Sequence, residues 1–177
     1  MLLVALACAF LIQAAVAKPY EIPTESMVPT IRAHDRIIAN RLIYRFRAIH
    51  RGDIIVFTPP ASAIATCAPP PGVPFVKRVI GVAGDRVVVR GGRTYVNGRE
   101  MVVPGADPPR YEITFPAVPS GYLLVLGDNR NVSCDSHLWG GNPRDGEPAV
   151  ARFAAVKDVI GQAEVVYWPP RQLSFLD

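Results

Sequence analysis

The chain predicts a mainly β, antiparallel domain carried behind an N-terminal apolar membrane-anchor helix. Three observations predict it. Gly and Pro together make 32 of the 177 residues without any short repeat, a turn-rich composition that suits strands better than helices. Two tight-turn dipeptides, Gly91-Gly92 and Asn97-Gly98, separate β-branched runs. Residues 2–17 carry no charge and a single polar side chain, Gln13. A chain of 177 residues holds one ordinary domain with a real core, so we divide it into an apolar segment, 1–17, and one β domain, 18–177.

As a helix the apolar run spans about 24 Å, a little short of a typical hydrocarbon core, so an anchor would extend slightly into its flanks. Ala15-Val16-Ala17 followed by Lys18 also fits a signal-peptide cleavage site, yet no Lys or Arg precedes the run, as such a leader requires. The anchor reading is therefore favoured. The helix circumference is apolar apart from Gln13, and a buried core helix is the least favoured reading.

Beyond Lys18 the pattern turns to β. Arg86–Arg90, Gly91-Gly92 and Arg93–Val96 read as a hairpin with a two-residue turn. Asn97-Gly98 adds a second turn into Arg99–Val103, completing a three-strand meander. Asp53–Phe57, Phe75–Gly81, Tyr122–Leu126 and Val159–Tyr167 supply further apolar, β-branched runs. Pro59–Pro74 holds six prolines and little periodicity, so it is expected as a surface loop, as is Pro104–Pro109. Apart from the N-terminus, helix is expected only as a turn near Val150–Ala155.

Charge and cysteine usage narrow the function. The net charge of +4 comes from scattered arginines, and no nucleic-acid recognition element is legible. Cys8 lies in the apolar run. Cys67 and Cys134 lack metal-ligand spacing; they can pair if the domain faces an oxidising compartment, but spacing alone does not bring them within bonding distance.

Three segments carry candidate chemistry. In Ile22–Ile31, IPTESMVPTI, Ser26 sits between Pro23 and Pro29; a serine nucleophile needs a base to take its proton. His137, near Asp128 and Asp135, allows a Ser-His-Asp arrangement. Lys77, inside the apolar PFVKRVIG, allows another. An amine held on the strand face of Phe75 and Val79 is desolvated and becomes a usable base, although a strand lysine can equally snorkel to water. Arg78 beside it adds a second cation that opposes protonation. The third segment, GDNRNVSCDSHLWG from Gly127 to Gly140, reads as a hydrogen-bonded loop in which Asp128, Arg130 and Asp135 can pair.

Together the Ser-Met-x-Pro-Thr segment, Gly52–Phe57, the Phe75–Asp85 stretch with its Lys-Arg, and Gly127-Asp128-Asn129-Arg130 resemble type I signal peptidase. They occur in order and cover most of residues 22–140, and the wording around Trp139 is similar to cyanobacterial and thylakoid members. The resemblance implies a serine endopeptidase that removes signal peptides from exported preproteins after small residues at −1 and −3. By the matching motifs, Ser26 is the nucleophile and Lys77 the general base. Thr24 and the Ser26 N–H would hold the oxyanion, Ser133 would orient the lysine amine, and Arg78 and Asp135 would brace the loop. His137 stands where other members carry a basic partner, and Glu25 where a small residue is usual. Ile22, Met27, Phe75 and Val76 would wall the pockets for the substrate, which adds as a strand beside Phe75-Val76. The implied setting is the extracytoplasmic face of a plasma or thylakoid membrane. A monomer in contact with lipid is expected, without metal or cofactor. A conjugation-type processing peptidase with the same dyad and a non-catalytic anchored β-domain binding protein remain as alternatives. Ser26-Met27-Val28-Pro29 is not S-x-x-K, which disfavours a penicillin-binding enzyme.

Overall fold

The structure is a computed structural model describing residues 16–140 and 149–176. Most of the expected strands appear. In chain order they are β1 (Ala17–Glu21), β2 (Arg36–Asn40), β3 (Ile54–Phe57), β4 (Phe75–Gly81), β5 (Val87–Arg90), β6 (Arg93–Val96) and β7 (Arg99–Glu100). There follow β8 (Ile113–Thr114), β9 (Tyr122–Leu126), β10 (Ala154–Ala155), β11 (Val159–Trp168) and β12 (Ser174–Phe175). They form two antiparallel sheets. The larger runs β1-β2-β11-β3-β4-β9-β10, with β12 added on β11; the smaller runs β7-β6-β5-β8.

The meander forms because its turns are chemically fit for it. Gly91, Gly92, Asn97 and Gly98 all have positive φ, which two-residue hairpin turns require and which Gly and Asn adopt at least cost. Pairing Arg90 with Arg93 and Val96 with Arg99 then places Val87, Val89 and Val96 together in a buried cluster with Phe115 and Leu124. The third strand is shorter than expected. It ends at Glu100; the Met101 N–H still bonds the Thr94 carbonyl of β6, and Val102–Val103 leave the sheet.

The Pro59–Pro74 expectation needs correction. Residues Ala61–Cys67 form a helix, named α2 after the one-turn α1 at Ile43–Phe46. Its run of Ala, Ser and Ile lacks prolines after Pro60 and contains good helix formers. Ala68 in the left-handed region ends it, with its N–H bonded to the Ile64 carbonyl. Cys67, the last helical residue, forms a disulfide with Cys134, tying α2 to the loop after β9. Phe57, Phe75 and Trp139 pack around it at ring separations of 6.1–6.2 Å, and Trp139 is fully buried. Near Val150–Ala155 the expected turn is a short 3-10 helix at Ala149–Arg152 followed by β10.

The apolar anchor expected at 1–17 falls almost wholly outside the described residues. No helix among the described residues is long and apolar enough to cross a membrane.

Candidate active site

Ser26 lies on the loop joining β1 to β2. Its neck is closed by the Ile22 N–H bonded to the Asp35 carbonyl (2.9 Å) and the His34 N–H bonded to the Ile22 carbonyl (2.7 Å). The side chains of Ile22, Met27 and Ile31 are buried in the cluster that also holds Ile37, Ile54 and Val76. The apolar positions around Ser26 thus screw the loop onto the sheet, and the serine is left at the surface of that plug, 9% exposed.

Lys77 comes from β4 and is 4% exposed. Its Nζ donates to Ser26 Oγ at 2.7 Å and to the Val76 carbonyl at 3.1 Å, and sits 5.2 Å from the Phe75 ring centroid. Burial lowers the amine's pKa from 10.5 to about 8, against the opposing pull of the Asp135 and Asp128 carboxylates. Of the two readings of a strand lysine, the buried one is realised. Of the two parts expected of Arg78, its contacts suit the brace rather than the second cation. Its Nε and Nη2 engage Asp128 at 2.9 and 2.8 Å and its Nη1 donates to the Gly52 carbonyl at 2.8 Å. Its charge is thus met by a carboxylate, and desolvation is the main cause of the lysine's shift.

The Gly127–Arg130 turn braces the Ser26 loop residue by residue. A Cβ on Gly127 would collide with the Ser26 carbonyl oxygen and the Ser133 side chain, so the approach requires glycine. Asp128 accepts from Thr30 Oγ1 at 2.6 Å as well as from Arg78. The Asn129 N–H donates to the Ser26 carbonyl and its Nδ2 to the Glu25 carbonyl, each at 3.1 Å. Arg130, expected to pair with carboxylates, instead donates from Nη1 to Thr94 Oγ1 at 2.8 Å, linking the two sheets. Asp128 was read from the sequence as a triad or pairing carboxylate, and Gly127 and Asn129 only as part of a matching motif; none of them, nor Thr30, was given a part in holding the Ser26 loop. The density of Asp, Asn and Gly in a loop was the available signal, but not what it would hold.

The remaining predicted residues divide. Thr24 Oγ1 lies 3.2 Å from Ser26 Oγ. Ser133 is 1% exposed, and its Oγ has no hydrogen-bond partner among the described residues. Asp135 is fully buried, accepts the Gly127 N–H at 2.8 Å and faces His137 Nδ1 at 2.7 Å. His137 stacks on Tyr111, rings 4.1 Å apart, so it is engaged by Asp135 while Ser26 Oγ is engaged by Lys77 and Thr24. The Ser-His-Asp arrangement is not built. Ile22, Met27, Phe75 and Val76 all line one cleft of about 310 Å3 that opens over Ser26 and Lys77, with Tyr20 and Val73 among its other walls.

A buried amine on a serine hydroxyl, in an apolar cleft, is chemistry for acyl transfer. Comparison with known proteins agrees. Residues 1–168 match the family described as signal peptidase, peptidase S26. The chain belongs to the signal peptidase I family. Its members remove signal peptides, and the enzyme is a serine endopeptidase. It is 41% identical over 162 residues to signal peptidase I of Leptolyngbya laminosa, covering 91% of this chain and 73% of that one. It is 40% identical over 164 residues to the probable signal peptidase I-2 of Synechocystis, covering 91% and 67%. It is 36% identical over 177 residues to the probable thylakoidal processing peptidase 2 of Arabidopsis thaliana, covering 96% and 43%.

Proposed function

We propose that this signal peptidase cleaves exported preproteins after small residues at −1 and −3 by a Ser26–Lys77 dyad. The observation that carries the reading is the 2.7 Å contact between a buried, pKa-lowered Lys77 amine and Ser26 Oγ. The neutral amine takes the hydroxyl proton as Oγ attacks the carbonyl carbon of the −1 residue. The resulting ammonium returns that proton to the leaving amine as the C–N bond breaks, leaving an acyl-enzyme. Lys77, neutral again, takes a proton from water, whose oxygen attacks the ester carbonyl. The ester C–O bond breaks, Ser26 Oγ is reprotonated and the signal peptide leaves as a carboxylate.

The oxyanion of each step is held by the Ser26 N–H and the Thr24 hydroxyl. Among the described residues the Ser26 N–H has no acceptor of its own, which supports that role. Ser133, whose buried hydroxyl makes no hydrogen bond to Lys77 or to any other group among the described residues, would orient the lysine amine by turning its Oγ towards Nζ. Arg78, through Asp128, and Asp135, through the Gly127 N–H, hold the loop beneath the nucleophile. The side chains of the −1 and −3 residues rest against Ile22, Met27, Phe75 and Val76. β9 pairs with β4 only from Arg78 onward, so the Phe75–Lys77 edge on that side has no partner strand among the described residues and can take a substrate strand.

The apolar run at 1–17 anchors the enzyme in a plasma or thylakoid membrane with the β domain on the extracytoplasmic side. The Cys67–Cys134 disulfide supports an oxidising compartment. The test is cleavage of a precursor with Ala at −1 and −3 by wild type, Ser26→Ala and Lys77→Met, followed by product mass. Cutting after that alanine by wild type alone, with both variants folded, is the expected result. A Lys77→Met enzyme cutting at the wild-type rate would sink the dyad.

A further inference from the structure

A second cleft, of about 520 Å3, continues from the catalytic one. Tyr20, Pro69, Pro70, Val73 and Pro74 line both. Beyond these shared walls it is bounded by Thr58 and Pro59 after β3, by Ile64 of α2 and by Ile160 of β11. Among the described residues Lys18 is the one charged side chain on its rim, with its amine 5.1 Å from the Tyr20 ring centroid. Ile64 is 51% exposed there, an apolar side chain left facing the opening. The cleft exists because the proline-rich excursion is not a loose loop. α2 and the Cys67–Cys134 bridge hold residues 69–74 over the β1 side of the sheet, where a turn closed by the Val73 N–H on the Pro70 carbonyl shapes the wall.

We infer that this cleft is a subsite for apolar substrate residues four to six positions before the scissile bond. The inference rests on the signal-peptide reading above. A strand lying along Phe75–Lys77 that continues past Val73 travels about 13 Å from the Ser26–Lys77 pair, four residues at about 3.3 Å each, and so arrives at the shared walls. Only one side of the substrate has guaranteed apolar character. A signal peptide carries its hydrophobic stretch upstream of the small-residue cleavage site, whereas the sequence downstream is arbitrary. A cleft walled by Ile64, Val73, Ile160, Tyr20 and prolines therefore suits the upstream side, and its occupant is the end of that hydrophobic stretch.

The test compares two peptides with Ala at −1 and −3, one with leucine and one with serine at −4 to −6, cut by the full-length enzyme in detergent. Wild type is expected to favour the leucine peptide about tenfold in kcat/KM, the equivalent of about 1.4 kcal/mol. Ile64→Glu, which puts a charge in the second cleft alone, is expected to bring that ratio to about twofold or less, and Ile64→Val to retain it. Because detergent partitioning of the leucine peptide is common to all three enzymes, the change in ratio is the readout. Equal cleavage of both peptides by wild type, or a ratio unmoved by Ile64→Glu, overturns the subsite. Cleavage of neither peptide by wild type overturns the signal-peptide reading on which it rests.

Discussion

Replacing Lys77 by methionine tests the electrostatics of the site independently of turnover. The amine's pKa is about 8 in the fold and 10.5 in an ordinary lysine. A folded-state pKa below the unfolded one means that the unfolded chain binds more protons between those values. Stability contributed by this group therefore rises with pH across that window, and the full penalty applies below it. From the two pKa values, the wild type carries about 3 kcal/mol of destabilisation at pH 7 and about 1 kcal/mol at pH 10. Met fills similar volume without a charge. Lys77→Met should thus be the more stable protein relative to wild type at pH 7, and that advantage should shrink by about 2 kcal/mol at pH 10. Urea unfolding of both proteins at the two pH values, disulfide intact and followed by the fluorescence of buried Trp139, measures the difference. Groups that titrate identically in both proteins cancel. A stability difference independent of pH would refute the idea that burial sets this lysine's proton affinity.

Four further outcomes are expected. The kcat/KM of wild type should rise with pH and level off above about 8, because about 9% of the lysine is neutral at pH 7 against about 0.03% for an unperturbed one; a profile rising without a break to pH 10 would contradict the lowered pKa. Gly127→Ala should cut kcat about 100-fold, because its methyl group meets the Ser26 carbonyl and Ser133; near-normal rates would show that the loop yields freely. Asp128→Asn removes the carboxylate that Arg78 and Thr30 both engage and should cost about 3–5 kcal/mol in urea unfolding. Glu25, an exposed carboxylate lining the catalytic cleft, should favour lysine over glutamate next to the scissile bond about threefold at low salt, and Glu25→Gln should abolish that preference in paired peptide assays.

Much of the fold was legible because its determinants are local. β4 and β9 were read from runs of apolar, β-branched residues with the boundaries the structure shows, and the meander from Gly91-Gly92 and Asn97-Gly98. β1 and β2 were missed. β1, AKPYE, contains a proline and has little buried surface, and it is held as a strand by its pairing with β2 rather than by its own pattern. α2 was missed because six prolines around it masked a seven-residue stretch that contains none. The dyad could be named from the order of motifs, and the apolar company of Lys77 suggested a buried amine, but the same residues equally allowed a lysine turned to water.

The sequence by itself determined the turns, the main strands, the apolar N-terminal run and the short set of residues able to do acyl-transfer chemistry, since each depends on neighbours a few positions away. Tertiary structure alone decided which of them meet. Ser26 lies 51 residues from Lys77, Arg78 lies 50 from Asp128 and Cys67 lies 67 from Cys134. Whether Lys77 is a base or a solvated cation depends on how much water those long-range contacts exclude. No local pattern encodes that, because desolvation is a property of the packed surroundings rather than of the strand that carries the charge.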